Sequence, residues 1–184
     1  MPGITDKSTK PPLLATRRLG HGTLECVDIF RTRRFYEEVL GLDVIQTSPR
    51  ALQVRKDTNH VYVVVETGRA DRDQPWLNHN GLEVATPEAV DAAYELVSAV
   101  RDEWCLRKVG KPRYAHGDYA FYFQDFDGNW WEVVAVDEGG YAADFDALSQ
   151  FDLTGRHELD GAVARARRMH THDRDFRARL VGGP

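Results

Sequence analysis

The chain has 184 residues, with 24 Lys+Arg against 29 Asp+Glu, a formal net charge of −5 and 42% hydrophobic residues. That length and apolar share suit one domain with a real core, and the negative balance argues against nucleic acid or an anionic membrane as the partner. No stretch approaches the roughly 20 consecutive apolar residues of a membrane span, and the opening MPGITDKSTK lacks the apolar run of a secretory signal, so a cytoplasmic protein with a small-molecule ligand is expected. The two cysteines, Cys26 and Cys105, form no CxxC pair and read as buried small hydrophobes rather than a disulfide or zinc framework.

In chain order, residues 1–18 carry Lys7, Lys10, Arg17 and Arg18 around Pro11-Pro12 and read as a flexible arm or a cover for a strand edge. From residue 19 the sequence repeats itself at an offset of 58. Leu19, His21, Leu24, Glu25, Tyr36, Glu37 and Val39 recur without a gap as Leu77, His79, Leu82, Glu83, Tyr94, Glu95 and Val97. Each copy begins with a strand, at 19–27 and 77–85, with its histidine near the start. A helix follows in both. In the first, Thr32 is the expected N-cap, Phe35, Tyr36, Val39 and Leu40 share a face, and Gly41 ends the helix. In the second, Thr86-Pro87-Glu88 begins the helix and Val90, Tyr94, Val97 and Val100 form its buried stripe.

A strand at 42–47 and a hairpin, 51–55 and 60–66 around Asp57-Thr58-Asn59, complete the first unit. A weaker strand at 106–109 and a hairpin, 119–124 and 130–136 turning at 125–129, complete the second. The expected fold is therefore α+β: paired βαβββ modules, about 19–68 and 77–137, forming a cupped, barrel-like mixed sheet with helices outside. Residues 138–184 form a tail, partly helical at 157–170, whose arginines read as a solvated face because Glu158, Asp160, Asp173 and Asp175 interrupt them.

Two histidines at matching places in duplicated units point to one shared site. Strand alternation sets Trp130, Glu132 and Val134 on one face of the last strand, and a carboxylate inside an apolar strand is costly unless paired or bound to metal. Two imidazoles and a carboxylate are a common donor set for a divalent metal, with positions left open for substrate or oxygen. Taken singly, a strand histidine is more often a satisfied core or surface residue than a ligand; recurrence in register, with a carboxylate on the last strand, is what makes these two ligand candidates.

The duplicated βαβββ pattern, His21 in LGHGTLEC, His79 in LNHNGLEV and Glu132 in DFDGNWWEV together resemble the vicinal oxygen chelate superfamily of glyoxalases, extradiol dioxygenases and fosfomycin-resistance enzymes, over residues 19–137. The resemblance implies that His21, His79 and Glu132 bind a divalent metal. Glyoxalase I is known for a fourth ligand, a glutamate on the last strand of the first unit. Aligning the two turns through Asn59 and Asn129 places Tyr62, or Val64 two residues on, opposite Glu132, and the only acid nearby is Glu66 at the strand end. A triad with open positions suits Fe(II) and O₂.

The resemblance then implies an Fe(II) extradiol-like ring-cleaving dioxygenase for a small dihydroxylated aromatic, with His116 and Tyr122 as catalytic candidates moving protons. Zn, Ni or Mn would serve a glyoxalase-like lyase or isomerase instead, and a third reading is a drug- or metabolite-binding resistance protein. His116 could also be a solvated loop residue and Tyr122 core filler; Glu25 and Glu83 could line the cup or pair with arginine. Trp76, Trp104, Trp130 and Trp131 could line a pocket or fill the core. A homodimer is expected, because so small a paired sheet leaves apolar edges, with the 138–184 tail as its clasp.

Overall fold

The computed structural model describes residues 5–56, 59–115, 118–136, 138–148, 152 and 154–155. The expected turn centre Asp57-Thr58, the catalytic candidate His116 and the helix at 157–170 lie outside the described residues. Residues 5–20 carry no regular element and are almost wholly exposed.

The first unit comprises β1 (His21–Cys26), α1 (Ile29–Glu38), β2 (Asp43–Ser48), β3 (Ala51–Arg55) and β4 (Val61–Glu66). Its sheet has the order β1-β4-β3-β2, with β1 and β4 parallel and the remaining pairs antiparallel. The second unit comprises β5 (His79–Val84), α2 (Pro87–Ala99), α3 (Arg101–Trp104), β6 (Lys108–Val109), β7 (Arg113–Ala115), β8 (Asp118–Gln124) and β9 (Trp130–Ala135). Its sheet has the order β5-β9-β8-β6 with β7 also on β8, and β5 and β9 again parallel. A last helix, α4 (Gly140–Leu148), follows. The architecture is α+β, with two cupped mixed sheets that do not close into one barrel. No helix among the described residues is long and apolar enough to cross a membrane.

The first helix begins earlier than expected. Its N-cap is Asp28, whose carboxylate accepts from the Phe30 and Arg31 N–H groups, and Asp28 lies 58 residues before Thr86, the cap of α2. Thr32 is instead buried inside the first turn, donating its hydroxyl to Asp127 at 2.6 Å. Gly41, at φ +64°, ends the turn after the helix as expected. The short α3 and β7 and the helix α4 had no expectation; the first two are accommodated in the longer connection between α2 and β8.

One face of each sheet is buried by helices. Leu24, Cys26, Leu52, Val54 and Val64 pack with Phe35 and Tyr36, while Phe121, Phe123, Trp131 and Val133 pack with Val90 and Val97, in one continuous core. Phe35 meets Trp104 and Phe126 at centroid distances of 5.4 and 5.3 Å, and Tyr36 meets Trp131 at 5.5 Å. Phe126 also lies 4.3 Å beneath the Arg31 guanidinium.

The turn at 125–129 fastens one unit to the other. Asp127 accepts the Val27 N–H at 2.8 Å, and the Asn129 amide donates to the Glu25 carbonyl at 3.1 Å. Asp125 accepts from the Asn129 N–H and the Trp131 indole, while burial and the Asp127 charge push its carboxyl up to about 7. Arg72, in the connection between units, reaches Glu25 at 3.5 Å and the Asn129 side chain at 3.4 Å. Asp127→Ala strips partners from a buried hydroxyl and a backbone N–H and should cost roughly 2–4 kcal/mol, read as a lower denaturation midpoint at unchanged slope.

Cys26 is buried as expected, its thiol pushed up to about 12 by burial and by Asp127, whereas Cys105 is exposed at the end of α3. It occupies the left-handed cap position (φ 54°) that closes that helix, so its side chain turns outward instead of joining the core. A thiol-alkylating reagent should therefore modify one cysteine in the native protein and two after denaturation, read by intact mass.

Candidate metal centre

His79 opens β5, and its ring Nδ1 lies 2.8 Å from the Trp76 carbonyl oxygen. A carbonyl only accepts, so Nδ1 carries the proton of that bond and Nε2 is left facing inward. Because Trp130 pairs with His79 and Gly81 with Glu132, the imidazole and carboxylate emerge on the same face of the sheet. Nε2 lies 3.3 Å from Glu132 Oε2. Glu132 is 3% exposed, and its other oxygen accepts a hydrogen bond from the Tyr122 hydroxyl on the adjacent strand. Burial and that carboxylate push the Tyr122 phenol well above its ordinary range, so it stays a donor. Trp76 lies near-parallel to His79, and Tyr122 stands edge-on to both rings at 5.4 and 5.0 Å.

These groups form the floor of a cleft of about 710 Å³, whose walls include His60, Tyr62, Leu77, Gly81, Glu83 and Tyr141. Gly22 is required beside it, since a Cβ there would come within 2.6 Å of the Tyr62 ring.

His79, Tyr122 and Glu132 are brought together. His21, by contrast, is exposed at the start of β1 and does not line the cleft. It sits on the face of the first sheet opposite the core, beside Val61, Val63 and Val65. Among the described residues, no three His, Cys, Asp or Glu side chains of one chain are close enough to hold a metal ion. An inward imidazole nitrogen beside a buried carboxylate nevertheless fits two positions of a divalent-metal donor set.

The two acids with matching parity divide. Glu83 lines the cleft, and Glu25 is taken up by Arg69 and Arg72. Of the tryptophans only Trp76 lines the cleft; Trp104, Trp130 and Trp131 are buried.

The fourth-ligand position also shifts. Val61 pairs with His21 as Trp130 pairs with His79, so Asn129 corresponds to His60 rather than Asn59. The residue matching Glu132 is then Val63, two on from the partner of His21. Glu66 pairs with Cys26 on the opposite face, and β4 reaches it without a register shift. The sequence reading missed the parts played by His60, Tyr62 and Tyr141; the aromatic and histidine content of their segments gave no periodic signal.

Residues 18–133 match the model of the Glyoxalase/Bleomycin resistance protein/Dioxygenase superfamily. The chain belongs to this superfamily. No curated protein matches it by sequence. Among solved structures it is similar to the fosfomycin resistance protein FosX of Listeria monocytogenes, at 20% identity and TM-score 0.53, over 67% of this chain and 96% of that one. In a complex of that protein with Mn(II) and sulfate the values are 19% and 0.52, over 72% and 99%. A possible glyoxalase from Bacillus cereus matches at 21% and 0.52, over 65% and 100%. At these identities the likeness concerns the fold.

Tyr122→Phe removes the hydroxyl that satisfies a nearly inaccessible carboxylate oxygen. Metal-free protein should lose about 1.5–3 kcal/mol of stability, measured by chemical denaturation.

Proposed function

We propose that this superfamily member is a metal-dependent enzyme, with His79 and Glu132 of one copy and His21 of a second copy holding a divalent cation. Its proposed reaction is Fe(II)-dependent extradiol-like cleavage of a small dihydroxylated aromatic. The observation that carries this reading is the convergence of His79 Nε2 and Glu132 Oε2 in an aromatic cleft, with Val63 where a fourth carboxylate would stand.

The exposed face around His21 supports assembly from two copies. Val61, Val63 and Val65 are only partly buried there, and Ile45 on the same sheet is exposed. A two-fold axis that sets this face over the β5–β9 sheet of a second copy makes two equivalent sites, each with two histidines and one glutamate.

Bound Fe(II) would supply Lewis acidity toward the two substrate oxygens and an open position for O₂. The chain's own residues do the rest. The Trp76 carbonyl fixes the His79 tautomer, and Tyr122 holds one Glu132 oxygen so that the other faces the site. The Trp76 and Tyr122 rings form apolar walls that exclude water from this floor. Both atoms of O₂ would enter the ring-opened product as one ring C–C bond breaks, so no external reductant is needed. Tyr122, committed to Glu132, serves to position that carboxylate, and proton movement falls to His116, the role its resemblance implies.

Metal content and subunit mixing test the assembly. The protein should bind about one Fe(II), Mn(II) or Zn(II) per chain, and both His21→Ala and His79→Ala should lose it. Refolding these two variants together should restore binding in part of the mixture, because a mixed pair keeps one complete site. No recovery would place the site within one chain. Glu66→Gln should leave metal content unchanged; loss would favour the lyase reading with Zn, Ni or Mn. Anaerobically loaded Fe(II) protein should consume O₂ with a panel of catechols and hydroquinones, and the absence of uptake with all of them would overturn the dioxygenase assignment. Full-strength ligand binding by metal-free protein would support a resistance protein of the binding type.

A further inference from the structure

The family match ends at residue 133, yet the cleft has a wall beyond it. Tyr141, in the first turn of α4, lines the cleft, donates its backbone N–H to Glu83 Oε1 at 3.2 Å and donates its hydroxyl to Asp118 Oδ2 at 3.3 Å. The backbone dictates this position. Gly139 and Gly140 take φ of 97° and 60°, and a Cβ on either would collide, on Gly139 with Ala143 and on Gly140 with the Glu83 carboxylate. Two consecutive left-handed residues therefore bring α4 directly onto β5. Its position also agrees with charge, since a carboxylate at a helix N-terminus is favourable.

Apart from the proposed metal ligands His79 and Glu132, the cleft is lined by Glu83, His60 and aromatic faces, and no lysine or arginine lines it among the described residues. Arg113 acts on Tyr122 through space from outside the lining. Away from the metal, an anionic tail on a substrate would lose its hydration there without gaining a lysine or arginine partner. An ammonium would gain both a carboxylate and the negative face of an aromatic ring.

We infer that α4 is a selectivity wall, in which Tyr141 and Glu83 contact the part of the substrate remote from the metal and favour a neutral or positively charged tail over an anionic one. This rests on the proposed placement of the substrate's diol at His79 and Glu132. Both are specificity residues and take no part in the chemistry.

The test uses protein loaded with Zn(II), which is redox-inert, so that affinity rather than turnover is read by calorimetry. Catechol, dopamine and 3,4-dihydroxyphenylacetate share one diol and differ in the charge of the tail, so the attraction of the metal for the diol is common to all three. Dopamine should bind about tenfold more tightly than 3,4-dihydroxyphenylacetate, with catechol between them. Glu83→Gln should reduce that ratio to within about threefold, and Tyr141→Leu, which keeps bulk without the ring face, should weaken dopamine severalfold more than catechol. Zinc content equal to the parent's shows that each variant is folded. Binding of all three with 3,4-dihydroxyphenylacetate equal or tighter, or ratios unmoved in both variants, overturns the wall and leaves the metal and diol reading in place. Binding of none of them by zinc-loaded protein overturns the diol reading, and the wall with it.

Discussion

The fold depends on a buried acidic turn. Asp125, Asp127 and Asn129 lie at the boundary between the two units, almost wholly out of solvent, where an unpaired carboxylate would be very costly. Their bonds to Val27, Thr32, Glu25 and Trp131 offset that cost and also hold the units in one orientation. Arg107 extends the fastening, donating to the carbonyls of Ala70, Arg72 and Phe126, so that the connection between the units is tied to the same turn. Phe126 fills the space between Phe35 and Trp104. Apolar packing alone would tolerate several relative placements of two half-open sheets; directional bonds to buried charges select one.

That placement decides what the other faces can do. With the helix sides of both units committed to a shared core, the opposite face of each sheet stays outside it. In the second unit it carries an oriented imidazole and a buried carboxylate beneath an aromatic cleft. In the first it carries a histidine among partly exposed valines. The same duplication that produced two matching histidines thus put them on separate surfaces of a single chain.

Much of this was legible in the residues because the repeat is a statement about geometry. His21 and His79 both open the first strand of their unit, and strand alternation sets Glu132 on one face of its strand with Trp130 and Val134, the face that pairing with β5 shares with His79. The repeat even held the correct cap: Asp28 stands at the position of Thr86, and Thr32 misled because it is a good capping residue whose hydroxyl is engaged by a carboxylate 95 residues away. Contacts of that span leave no local pattern. The position opposite Glu132 shifts by one for a related reason: an asparagine common to two turns does not fix their register, whereas pairing along the strands does. Tyr141 was illegible because nothing in its helix announces that two left-handed glycines aim it at the cleft.

The span of the fastening has a further consequence for the order of folding. Asp127 and Val27 are 100 residues apart, and in each sheet the parallel pair joins the first strand of its unit to the last. On the ribosome, the first unit is complete once β4 has emerged, yet its helix side has no partner until α3 and the 125–129 turn follow. During that interval Phe35, Tyr36 and Val64 belong to a half-built core, while Val61, Val63 and Val65 lie open on the other face of the sheet. Such long-range closure makes folding slow and exposes the nascent chain to association at the stage when the most apolar surface is uncovered.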